Sequence, residues 1–160
     1  MPTLTTCLWF DDQALAAAEF YVSVFPDSEI TDVSRIGPDE RVLTVNWTLS
    51  GASFMAINGG PRFPHSEAFS VFLSCADQAE ADHYWDVLVD GGRPSQCGWL
   101  VDRFGISWQV VPDGLGDLLG DPDPARAAAA QAAMLEMSRL DLGAMRAAAD
   151  AAGDPRQDRR

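Results

Sequence analysis

The feature that most constrains this chain is an order of structural signals that it writes twice. From Leu4 the residues read as strand, helix, strand, strand, strand, and from Ala68 the same order begins again. Self-similarity at this scale points to two like modules rather than to one irregular domain. In the first pass, Leu4 to Phe10 is β-branched and aromatic, and Asp11-Asp12 stand where helix caps belong. Leu15, Ala18, Val22 and Phe25 then recur at helical spacing over Gln13 to Phe25, until Pro26-Asp27-Ser28 stops the helix. Glu29 to Ile36 and Val42 to Leu49 read as strands about the turn Gly37-Pro38-Asp39-Glu40, with Leu43, Val45, Trp47 and Leu49 on one face. Ser50-Gly51 is a hairpin turn, Ala52 to Ile57 a further strand, and Asn58-Gly59-Gly60-Pro61 ends the module.

The second pass opens with Ala68 to Cys75 as a strand. Asp77, with Glu80 three residues on, forms a capping box for a helix whose apolar residues are Ala81, Tyr84, Trp85 and Leu88. Asp90-Gly91-Gly92 ends that helix, and Arg93 to Gln96 is a short return strand. The stretch from Gln96 to Pro112 then folds about the breaker Asp102-Arg103-Phe104-Gly105. Beyond it Ile106, Trp108 and Val110 share one face while Ser107, Gln109 and Val111 share the other. A faint echo supports the duplication, since residues 19–25 can be laid over residues 82–88 with Tyr and Val shared. The expected fold is α+β, with two βαβββ modules, about 1–61 and 68–112, forming one domain over 1–112.

The remainder changes character. Asp113 to Leu119 is a short helical or turn segment, and Asp121-Pro122-Asp123-Pro124 offers a cap with proline at the first helical position. An alanine-rich helix is expected from Ala125 to about Leu140, with Met134, Met137 and Leu140 as its apolar stripe, then a second from Asp141 to Ala152. The stripe suits either a partner contact or packing onto the sheet. C-terminal helices are thus placed at 113–152 and a frayed polar tail at 153–160.

Charge narrows the partners. The formal net charge is −13, with eleven basic residues that are all arginine, which opposes approach to nucleic acid or an anionic membrane. Such acidity either attracts a cationic ligand or serves solubility. No apolar run approaches a membrane-spanning length, and Met1-Pro2-Thr3 lacks the basic start of a signal peptide, so a cytoplasmic location is expected. The three cysteines, Cys7, Cys75 and Cys97, form neither a disulfide framework nor a zinc motif.

For site chemistry the notable residues are aromatic: Trp9, Trp47, Phe63, Trp99, Phe104 and Trp108, more than strand edges of this length need. Each tryptophan also reads as core of a curled sheet. Amides and a hydroxyl, Asn58, Gln96, Ser107 and Gln109, could orient a planar ligand among them. The candidate ligand-binding set is Trp9, Asn58, Phe63, Gln96, Trp99, Phe104, Trp108 and Gln109. Cys97 is either a nucleophile or a buried thiol, and no base is placed beside it in sequence. His65 is either a base near a cavity mouth or a loop histidine, and His83 is a helical residue.

The element order, together with Phe10-Asp11, Ala18-Glu19-Phe20-Tyr21, the run from Phe54 to Pro61 and the stretch from Gln96 through Asp121-Pro122-Asp123-Pro124, resembles the PhnB-like branch of the vicinal oxygen chelate superfamily. That superfamily includes glyoxalase I, bleomycin-resistance proteins and extradiol dioxygenases, and the resemblance covers roughly residues 3–140. Members of this branch often carry the label 3-demethylubiquinone-9 3-methyltransferase. The label implies little here, because the chain has no glycine-rich nucleotide motif for S-adenosylmethionine.

The resemblance implies two modules curled around a cavity, small-molecule binding, and a homodimer. In metal-dependent members the first and last strands of each module supply histidine, glutamine or glutamate to a divalent ion. Those places correspond here to Thr6, to Met55 or Ala56, to Ser70 or Val71, and to Gln109. None is histidine or a carboxylate, and a hard cation needs such donors to offset its dehydration. The expectation is therefore no metal, no cofactor and no assigned catalytic residue. The expected partner is a small, partly aromatic molecule held in the sheet cavity. The alternative is an enzyme, either a glyoxalase- or dioxygenase-type reaction with a divalent ion entering through His65, Glu67 and Gln109, or covalent chemistry at Cys97.

Overall fold

A computed structural model describes residues 1–153, so the expected tail falls, beyond Gly153, outside the described residues. The chain forms two compact units, one over Met1–His65 and one from Ser66 onward.

The first unit runs β1 (Thr6–Phe10), α1 (Ala14–Val24), β2 (Glu29–Ile36), β3 (Arg41–Leu49) and β4 (Ala52–Asn58). Its open four-stranded sheet has the order β1-β4-β3-β2. β1 lies parallel to β4, Thr6 opposite Phe54 and Phe10 opposite Asn58, and the other pairs are antiparallel. The expected first strand began at Leu4, yet Leu4 is 91% exposed. The ladder with β4 starts only at Thr6, and pairing, not β-propensity, decides where a strand begins.

Alternation along the strands buries one face under α1. Leu8, Phe10, Val45, Trp47, Phe54 and Ala56 meet Ala14, Ala17, Ala18 and Tyr21 there. The alanines let the helix approach closely, and Tyr21 stacks on Trp47, which stacks on Phe54 at 5.7 Å and 12°. Trp47 is thus core.

The second unit repeats the order with β5 (Val71–Cys75), α2 (Gln78–Val89), β6 (Arg93–Pro94), β7 (Trp99–Val101) and β8 (Ser107–Pro112). Its sheet order, β5-β8-β7-β6, matches the first position for position, again with the first and last strands parallel. Here too the expected first strand is trimmed, from Ala68 to Val71. Tyr84, the echo of Tyr21, occupies the same inward place on its helix. Asp77 accepts from the Glu80 N–H as expected, while the Glu80 carboxylate reaches the Ala76 N–H, one residue before the cap.

Three helices complete this unit: α3 (Leu115–Leu119), α4 (Pro124–Leu135) and α5 (Leu142–Ala152). They share a small core of Leu118, Ala130, Leu142, Met145 and Ala149. The expected stripe of Met134, Met137 and Leu140 on one helix is a misreading, because α4 ends at Leu135 and only Met134 lies in it. Met137 and Leu140 belong to the connection 136–141, which leaves the helical path, its Met137 and Ser138 carbonyls accepting from the turn just before β7.

Candidate functional site

Each sheet has one face covered by its helix and one that is not. In the first unit Trp9 points away from α1, between inward-facing Leu8 and Phe10. Its indole Nε1 donates to the Gly60 carbonyl at 2.8 Å, and Phe63 meets its ring edge-on at 5.0 Å. A methyl group on Gly59 would lie 2.1 Å from the Trp9 ring, so a glycine is required there by contact. The Arg62 guanidinium lies 5.3 Å from the centre of the exposed Phe63 ring.

Asn58 has a structural task. Its Oδ1 accepts from the Ala14 N–H at 2.9 Å, and its Nδ2 donates to the Val42 carbonyl at 3.2 Å. The start of α1 is therefore capped from β4, and Asp11-Asp12, the expected caps, are not used because Gln13 occupies the cap position without a side-chain bond. Beside Asn58 lies a half-open groove of about 840 Å³, walled by Asp11, Asp12 and Glu19 on one side and by Ile36, Arg41 and Leu43 on the other.

In the second unit the face away from α2 carries a row in register: Phe72 of β5, Gln109 of β8 and Trp99 of β7. Gln109 donates through Nε2 to the Ser70 hydroxyl at 2.9 Å, leaving the acceptor end of its amide for another donor. Phe72 is 59% exposed. Sequence reasoning missed it, although an aromatic on the serine parity of Ser70 and Ser74 was a legible signal. Gln96 is exposed just before the row, and its carbonyl accepts from the Trp99 N–H.

Trp108, also a candidate, lies on the opposite face, packed toward α2 and 2% exposed. Its Nε1 donates to the Asp102 carboxylate at 2.8 Å. That carboxylate is itself buried, 3% exposed, and its other oxygen accepts from the Phe104 and Ile106 N–H groups. Phe104 is half-buried within this turn. Asp102 is the anchor of the hairpin, hidden in sequence because an aspartate before glycine reads as an ordinary turn residue.

The reactive candidates are separated. Cys97 points its thiol at the Met134 carbonyl, whereas burial, then the carboxylates of Glu80 and Asp77, push the Cys75 thiol up to about 11. His65 sits edge-on to Phe10 at 5.2 Å with its Nε2 buried and unbonded, and Glu67 is ion-paired with Arg93 at 2.8 Å. His83 is exposed on α2. Among the described residues no three His, Cys, Asp or Glu side chains are grouped so as to hold a metal ion. Ser70 and Gln109, which the resemblance had aligned with ligand positions (Ser70 or Val71, and Gln109), come together as a neutral pair bonded to each other.

Residues 2–111 match the family described as 3-demethylubiquinone-9 3-methyltransferase. A Bacillus cereus protein, described as a putative 3-demethylubiquinone-9 3-methyltransferase, PhnB protein, is similar at 30% identity with a TM-score of 0.65, over 69% of this chain and 99% of its own. Protein PA1353 from Pseudomonas aeruginosa is similar at 19% identity and a TM-score of 0.57, over 70% of this chain and 98% of its own. No curated protein matches. With the doubled βαβββ order and a match that spans both units, the chain belongs to the PhnB-like 3-demethylubiquinone-9 3-methyltransferase family.

Proposed function

We propose that this protein binds a small, partly aromatic molecule without a metal ion, on the uncovered sheet face where Gln109 stands between Trp99 and Phe72. One observation carries the reading. Gln109 is an amide bonded to Ser70 and flanked in register by two aromatic side chains, at the place where the family resemblance implies a metal-binding glutamate. Aromatic flanks favour a planar group, and the amide oxygen fixes its orientation by accepting one hydrogen bond. Trp9 with Phe63 offers a similar aromatic surface in the first unit.

The residues at the metal-ligand positions do not fit a hard divalent ion. Thr6, Met55 or Ala56, Ser70 or Val71, and Gln109 are all neutral, and such a cation binds through carboxylate or imidazole oxygen and nitrogen. The family's methyltransferase label would require a nucleoside-bearing methyl donor. The β1–α1 and β5–α2 junctions, Asp11-Asp12-Gln13 and Ala76-Asp77, lack glycine, and the β8–α3 junction, Asp113-Gly114, has one glycine before a five-residue helix where such a loop uses several. The protein is further proposed to be a cytoplasmic homodimer; the exposed Phe69 beside edge strand β5 supports the dimer. No described helix is long and apolar enough to cross a membrane.

Thermal-shift and native mass-spectrometry screening of planar amphipathic compounds tests the reading. A stabilising class is expected, with its effect abolished in Gln109→Ala and Trp99→Ala. Absence of any stabilising class, or stabilisation that persists undiminished in both variants, would defeat it.

A further inference from the structure

The match to the family ends at residue 111, before α3, α4 and α5. The connection between α4 and α5 nevertheless reaches the candidate site from behind. The Cys97 N–H donates to the Met137 carbonyl at 2.8 Å and the Gly98 N–H to the Ser138 carbonyl at 2.7 Å. Both acceptors lie in the C-terminal part, and both donors immediately precede Trp99. Cys97 and Gly98 have φ of +56° and +84°, left-handed values that a cysteine seldom adopts. Leu140 closes over Gly98 so tightly that an added methyl group would lie 2.9 Å from it.

The segment is held at its other side by α2. Gln78 donates to the Leu140 carbonyl at 2.8 Å and accepts from the Leu142 N–H at 2.9 Å. Arg139 pairs with Asp82 and Asp86, its guanidinium 5.8 Å from the Trp85 ring centre. Through the Gly98 carbonyl, which accepts from the Val110 N–H at 2.8 Å, this constraint passes to β8 beside Gln109.

We infer that residues 137–142 are a strap by which the C-terminal helices, outside the family match, position Trp99 opposite Gln109, with Gln78 as the positioning residue that clamps the strap. The inference rests on the reading of that row as the binding face, but its geometry can be tested without a ligand. Tryptophan replaced by 5-fluorotryptophan gives five fluorine signals, one per tryptophan, assignable by Trp→Phe substitution. In Gln78→Ala the Trp99 signal is expected to shift and broaden while those of Trp9 and Trp47 stay in place. Exchange of the Cys97 and Gly98 amides is expected to rise about tenfold as the strap opens locally. Gln78→Glu keeps an acceptor for Leu142 and loses the donor to Leu140, so it should fall between. Arg126→Ala breaks ion pairs to Asp121, just before α4, and to Asp150 of α5 and should change neither readout. Unchanged amide protection in Gln78→Ala, or loss of protection with an unmoved Trp99 signal, would overturn the inference. A responsive Trp99 signal in a protein to which thioflavin T and neutral planar dyes do not bind would leave the strap standing and remove the ligand reading instead.

Discussion

The two units share an element order and a sheet order, yet they solve the same local problems with different chemistry. The hairpin between the third and fourth strands shows this best. In the first unit Ser50 and Gly51 turn the chain in two residues, both in the left-handed region at φ +45° and +86°, and Ser50 is tied to the neighbouring turn by exposed bonds to the Ser28 hydroxyl and the Pro26 carbonyl. In the second, the turn is longer and is held by the buried Asp102 carboxylate, which accepts from two backbone N–H groups and the Trp108 indole. Helix starts differ in the same way, since Asn58 caps α1 from a distant strand while Asp77 caps α2 locally. Topology is thus the common property of the modules. The second unit, which bears the Gln109 row, is also the one stiffened by buried polar anchors and by the strap.

The contrast can be broken by substitution. Asp102→Ala leaves three donors short of an acceptor, two of them buried, and should cost about 3–5 kcal/mol in chemical denaturation. Asp102→Asn should cost less, about 1–3 kcal/mol, because one oxygen survives while an NH₂ can face the indole N–H. Gly51→Ala, in open space at positive φ, should cost only about 1 kcal/mol. Equal costs for Asp102→Ala and Gly51→Ala would erase the distinction between the hairpins.

The caps give a smaller difference. Asn58→Ala unpairs both the Ala14 N–H and the Val42 carbonyl and should cost about 2–3 kcal/mol, against about 1 kcal/mol for Asp77→Ala, measured by the same unfolding curves.

Smaller again are the effects of pH. The Cys75 thiol is raised to about 11 from an ordinary 9.0, so the folded state holds its proton where the unfolded chain has lost it. Its contribution is complete below pH 9, falls as pH rises from 9 to 11, and levels off beyond. Cys75→Ala should flatten that alkaline decline, and at pH 8 iodoacetamide should label the exposed Cys7 and spare Cys75 in native protein. On the acid side, the Asp123 N–H and then Arg126 hold the half-buried Asp121 carboxyl below its ordinary range. The small stability this gives is present above that ordinary value and lost as pH falls through the lowered one, a slope that Asp121→Asn should remove.

Much of this architecture was legible in sequence because periodicity reports burial. The alternation of Ile106, Trp108 and Val110 marked the helix-facing side of β8, and the spacing of Ala81, Tyr84, Trp85 and Leu88 marked the buried side of α2. What was not legible depends on partners far along the chain. No local signal says that Asn58 caps a helix 44 positions away, that Leu4 has no strand to pair with, or that Met137 and Leu140 leave the helix to meet Cys97 and Gly98. The row itself was half visible. Trp99 and Gln109 were singled out for their chemistry, whereas Phe72 needed the parallel register of β5 with β8 to appear beside them.

The central claim is that Gln109, in the place of an ion-binding glutamate, orients a ligand instead of a metal. Counting divalent ions bound per chain, after equilibration with manganese, nickel and zinc and removal of the excess, tests it most directly. The account predicts a ratio far below one ion per chain, unchanged in Gln109→Ala. One tightly held ion per chain, lost in Gln109→Ala, would contradict it.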